Sequence, residues 1–97
     1  MIIGKVKAYI GFAIKSGAVL WGLDNLISHS DKAKLIIYDS SLTANGVRKL
    51  DNLLSLRNID CLRLDQEHIL SELTGRDNVK LIAVTNADLA DAIRQNI

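Results

Sequence analysis

Apolar side chains recur along this chain with two periods, and each change of period marks a new element. From Ile3, the positions Val6, Ile10, Ala13 and Ile14 follow at three- and four-residue steps, which places them on one face of a helix ending near Lys15-Ser16-Gly17. Gly17 supplies the left-handed residue that closes such a helix. Ala18 to Trp21 reads as a brief strand, after which Leu23, Leu26 and Ile27 step helically from Gly22 towards Ser30. Lys34-Leu35-Ile36-Ile37-Tyr38 is aliphatic and rich in isoleucine, and it stops at the polar cluster Asp39-Ser40-Ser41, the pattern of a buried strand leading into a loop. Thr43 then caps a third helix whose inner face is Val47, Leu50, Leu53 and Leu54 and which stops near Asn58. Ile59 to Leu64 is the next strand. Asp65 is the expected cap of a fourth helix, with Ile69, Leu70 and Leu73 inside and Gly75 at its end. Lys80 to Thr85 forms a last strand, and Asn86 caps a last helix through Leu89, Ala90 and Ile93.

Strands and helices that alternate in this way predict an α/β fold, a three-layer α/β/α sandwich around a small mixed sheet of about four strands. A chain of 97 residues, 48% hydrophobic and 24% charged, is the size of one core, so residues 1–97 are read as a single domain. Proline is absent, which leaves the turns to Gly, Asn, Asp and Ser.

Charge narrows the function classes. Twelve basic against eleven acidic side chains give a net charge of +1, which excludes a strongly basic nucleic-acid arm and an acidic solvating tail. The distribution is uneven: residues 1–63 hold 9 basic and 5 acidic side chains (+4), and residues 64–97 hold 3 and 6 (−3). Any polyanion must therefore meet a local patch. The lone Cys61 has no internal disulfide partner and fits a reducing cytoplasm. No apolar run approaches the roughly 18 residues of a membrane span, and the N-terminus lacks a basic leader with an apolar core, so neither membrane insertion nor secretion is expected.

Residues at three places resemble the ribosomal L-seven-Ae/L-thirty-e family. The run from Ile10 to Ile27, a helix, Lys-Ser-Gly, a short apolar strand and Gly22 opening a helix, is similar to the family's start. There the bacterial members carry a Lys/Arg-x-Gly-Lys-Leu-Val-Ser-Gly-Glu pattern. Asp31-Lys32-Ala33-Lys34-Leu35-Ile36-Ile37 resembles the family's Gly-Lys-Ala-Lys-Leu-Val strand. Leu73-Thr74-Gly75-Arg76, followed by Val79 to Thr85, resembles its Leu-Gly loop and final strand.

The resemblance implies a ribosomal or ribosome-associated protein that binds kink-turn RNA. In the family, a Gly-Asn-Glu or Gly-Glu-Glu step at a helix start reads the sheared G·A pairs and a lysine one turn further on contacts phosphate. Carried onto this chain, the RNA surface comprises Lys15, Gly22, Leu23, Asp24, Lys32, Ser40, Gly75 and Arg76. Leu23 stands where the family has Asn or Glu and offers no group to a base edge, Asp24 stands for the second acid, and Ile27 occupies the lysine position. DNA is not an expected partner.

Two further readings follow from the residues themselves. The apolar segment Val19-Leu20-Trp21-Gly22-Leu23 would, if exposed, make a surface for a protein partner or a homodimer on the same fold without RNA binding. Catalysis is not expected. His29 and His68 belong to no metal-ligand spacing, and the sole cysteine excludes the usual zinc clusters. Asp39-Ser40-Ser41 lies where α/β folds place ligands, yet no nucleophile elbow surrounds it and no glycine-rich phosphate loop is present, so neither a metal nor a cofactor is assigned.

Overall fold

The computed structural model describes residues 3–97, with Ile3 contributing its backbone only. The place of the Ile3 side chain on the first helix face therefore lies outside the described residues. Ten elements follow one another: α1 (Ile3–Lys15), β1 (Val19–Trp21), α2 (Gly22–Ser28), a 3₁₀ turn (Ser30–Lys32), β2 (Leu35–Asp39), α3 (Ala44–Leu56), β3 (Asp60–Leu64), α4 (Ile69–Thr74), β4 (Leu81–Val84) and α5 (Ala87–Gln95).

The sheet is mixed, in the order β1-β4-β2-β3. β4 is antiparallel to both neighbours, with Trp21 opposite Ile82 and Tyr38 opposite Leu81, while β2 and β3 run parallel with Leu35 opposite Asp60. β1, β2 and β3 therefore all point the same way.

Strand alternation sends successive residues to opposite faces and so builds two cores. Leu35, Ile37, Ile82 and Val84 face Val6, Ile10 and Ala13 of α1, Ile69, Leu70 and Leu73 of α4, and Ala90 and Ile93 of α5. Ile36, Leu81 and Ala83 face Leu26 of α2 and Leu50 and Leu53 of α3. Three helices on one face and two on the other make the α/β/α sandwich expected from the pattern. Each fully buried Leu, Ile or Val here contributes about 1.5–3 kcal/mol. Among the described residues, no helix is long and apolar enough to cross a membrane.

Local chemistry explains most of the boundaries. Thr43 Oγ1 accepts from the Gly46 amide at 3.1 Å, and Asn86 Oδ1 accepts from the Leu89 amide at 3.0 Å, so both expected caps form. Gly75 ends α4 at φ +71°. The expected cap at Asp65 does not form. α4 starts four residues later, after His68 in the left-handed region, and Asp65 instead pairs with Arg63. The helix draws its acceptor from β2: Asp39 Oδ2 accepts from the Leu70 amide at 3.0 Å, across 31 residues of sequence.

Candidate functional site

The ends of β1 and β2 and the start of β4 meet at one end of the sheet, because all three strand directions converge there. β1 runs out at Trp21, and Gly22 turns the chain into α2 at φ +83°, a region that L side chains rarely adopt. A Cβ on Gly22 would meet nothing within 4 Å, so the turn, and not crowding, calls for glycine.

β2 ends at Asp39, whose carboxylate is completely buried. Its Oδ1 accepts from the Ser41 amide at 2.9 Å and from the Ser41 hydroxyl, and its Oδ2 takes the Leu70 amide. All of these partners are structural, which accounts for Asp39-Ser40-Ser41 as a turn and places Ser40 half-buried within it.

The connection from α4 to β4 completes this end. It is held by the Val79 amide donating to Ser71 Oγ at 3.1 Å and by the Asp39 amide donating to the Lys80 carbonyl at 3.1 Å. The loop carries Arg76, whose guanidinium carbon lies 4.1 Å from the centroid of the Trp21 ring. Beside this pair is a groove of about 230 Å³ lined by Trp21, Gly22, Asn78, Val79, Lys80 and Leu81.

Trp21 packs partly on the α1/α4/α5 core, while Arg76 is exposed. A guanidinium stacked on an indole is drawn to the negative face of the ring, and it keeps both its own outer face and its N–H edge available. Pairing β1 with β4 is what brings the two residues together.

Trp21, Gly22, Ser40, Gly75 and Arg76 thus share one end of the sheet, and Asp24 stands exposed on the first turn of α2. Lys15 and Lys32 are elsewhere. Both lie at the end where β1 and β2 begin, where Ala18 bonds Thr85 and Lys34 bonds Val84. The four steps of β2 from Leu35 to Asp39, about 13 Å at 3.3 Å per step, separate the Lys32 end of the strand from its other end. Leu23 is half-buried against the α2/α3 core and Ile27 is 44% exposed.

Val19, Leu20, Trp21 and Leu23 are each half-buried and do not share a face. Val19 and Trp21 pack towards α1, α4 and α5, while Leu20 and Leu23 pack towards α2 and α3, as strand alternation requires. Lys80 and Asn78, which line the groove, were not singled out in the sequence. Their only signal is position, just ahead of an aliphatic strand.

Cys61 lies on β3 and is exposed on the sheet surface, where partial desolvation of its thiol, reinforced by the carboxylate of Asp51, pushes its pKa up to about 11, so it stays protonated at neutral pH.

No protein-family model matches this chain, and no curated protein matches it. Among solved structures, it is similar to a protein of unknown function from Bacillus halodurans C, with a TM-score of 0.83 over 95% of each chain and 17% sequence identity. At that identity the likeness concerns the fold alone.

Proposed function

We propose that this protein binds structured RNA, of the kink-turn class that its sequence resemblance implies, through the end of the sheet where β1 and β2 run out. The observation that carries the reading is the Arg76 guanidinium stacked on Trp21 beside a groove that Lys80 lines. Unstacked RNA bases lie against aromatic rings and guanidinium planes, while cations at the rim neutralise phosphate.

Leu23, packed towards the core, and Ile27, apolar, leave exposed Asp24 and Asn25 as the polar groups of the α2 start able to meet a base edge, the Asn25 Nδ2 being engaged with the Trp21 carbonyl at 2.7 Å. Affinity then rests on the stack and on phosphate contacts, and it falls with salt. A cytoplasmic location, where Cys61 stays reduced, suits such a partner.

Trp21 is the single tryptophan, so its fluorescence reports on this end of the sheet alone. Titration with a kink-turn RNA and with a plain duplex is expected to change that emission for the kink-turn first. Arg76→Ala is expected to weaken binding by about 1–3 kcal/mol, the scale of one stacked base. Equal affinity for the two RNAs, or no binding at low salt, would refute the reading.

A further inference from the structure

The groove beside the Trp21–Arg76 stack has a second wall that the stack does not supply. Trp21 lies opposite Ile82 in the β1–β4 ladder, so the chain just ahead of β4, from Asn78 to Leu81, runs past the point where β1 turns at Gly22. Gly22 carries no side chain, and the groove stays open between the two segments. At about 230 Å³ it is smaller than the roughly 300–1,000 Å³ of a pocket for a drug-sized molecule, and it suits one flat ring.

Of the residues lining this groove, Asn78 alone has a side chain with both a donor and an acceptor. It is exposed, and among the described residues its carboxamide is engaged by no other group. Its backbone is nevertheless held on both sides. The Gly75 amide donates to the Ser71 carbonyl at 3.0 Å, and the Val79 amide donates to Ser71 Oγ at 3.1 Å. Asn78 itself holds φ +59°, a left-handed conformation that asparagine tolerates better than most side chains. A polar group without an internal partner, carried on a tied backbone at the mouth of a groove, is positioned to read a ligand, and the fold makes no other use of it.

We propose that Asn78 is the specificity-determining residue of this end of the sheet, and that the base it reads is an adenine splayed out of the RNA. The proposal rests on the RNA reading above and names the base that reading leaves open. A splayed base lies against a guanidinium plane or an aromatic ring and is told apart by hydrogen bonds to its edges. Adenine sets an acceptor beside a donor on both edges, N1 beside N6 and N7 beside N6, and a carboxamide matches either. Guanine offers two acceptors, N7 and O6, on the second of these edges, and a pyrimidine covers less of the stacking surface. Lys80, lining the same groove, supplies the cation for the phosphate of the splayed nucleotide.

The test is the Trp21 fluorescence titration with four kink-turn RNAs that differ only in carrying A, G, C or U through the bulge. Wild type is expected to bind the adenine RNA about tenfold more tightly than the others. Asn78→Gly keeps the left-handed backbone and removes the carboxamide, and it is expected to bring the adenine RNA down to the level of the other three while leaving those unchanged. Asn78→Asp keeps the side-chain size but replaces the donor with a second acceptor, and it is expected to lose the adenine preference as well. Circular dichroism checks that each variant folds. Equal binding of the four RNAs by wild type, or an adenine preference that survives in either variant, would overturn the proposal and leave RNA binding standing. Binding of none of the four would overturn the RNA reading and the proposal with it. Adenosine monophosphate brings the base without the strand and is expected to compete only at far higher concentration. Competition at the RNA's own concentration would make a free nucleotide the source of the base and overturn the proposal.

Discussion

Replacing Asp39 with alanine removes one side chain and unpairs two parts of the molecule at once. The carboxylate is wholly buried and serves the Ser41 amide and hydroxyl on the turn into α3 and the Leu70 amide at the start of α4. Losing the acceptor at a helix start costs about 0.5–2 kcal/mol. Losing a carboxylate acceptor for the Ser41 amide costs about 1.5–3 kcal/mol more. The sum is about 2–5 kcal/mol. In a domain of this length, where 1 kcal/mol moves the melting temperature by about 4–8 °C, Asp39→Ala should melt about 8–40 °C below wild type. Asp39→Asn keeps one acceptor oxygen and turns an NH₂ group towards the other donors, so it should fall between the two. Urea unfolding gives the free energies, provided the slope is unchanged. Hydrogen exchange should quicken first at the Leu70 and Ser41 amides. An alanine variant within 1 kcal/mol of wild type, or an asparagine variant less stable than the alanine one, would refute the assignment of Asp39 as the tie between these elements.

Ile27→Lys places a cation at an exposed position and should strengthen kink-turn binding, with a steeper salt slope in the same fluorescence titration. Leu23→Asn should instead lower stability by about 1–3 kcal/mol in urea, because Leu23 packs against the α2/α3 core. Alkylation of Cys61 by iodoacetamide should be slow. With a pKa near 11, its thiolate is about one part in a thousand at pH 8, against about a quarter for an ordinary thiol. Allowing for the greater nucleophilicity of the more basic thiolate, the folded protein should react about tenfold more slowly than the urea-unfolded chain. The rate should climb with pH towards 11, and a folded rate equal to the unfolded one would show that the thiol is not desolvated.

Periodicity carried the layers of this fold, because burial on a helix or strand face is a local pattern. Thr43, Asn86 and Gly75 were readable as helix ends for the same reason, since each acts on amides or carbonyls within four residues. Asp65 misled because the acceptor for α4 comes from Asp39 on another strand, and no local pattern encodes a partner 31 residues away. The candidate site divided along the same line. Gly22 and Arg76 were visible as punctuation around α2 and α4, but the Trp21–Arg76 stack depends on β4 lying next to β1. Lys15 and Lys32 flank the motif in sequence, yet strand direction carries them to the far end of the sheet. Chain neighbours one strand apart are at opposite ends of it.

β4 is last in the sequence and yet lies inside the sheet, bonded to β1 on one side and β2 on the other. During synthesis, β1 and β2 therefore leave the ribosome with a gap of one strand between them. Neither core can close until residues 81–84 have emerged, so the first eighty residues wait with the β2–β3 pair as the one strand pairing open to them and β1 without a neighbour. Assembly of the whole sheet is thus a late and nearly all-or-none event. A chain cut short before Leu81 would be a target for chaperones and proteases, and not a smaller working version of the protein.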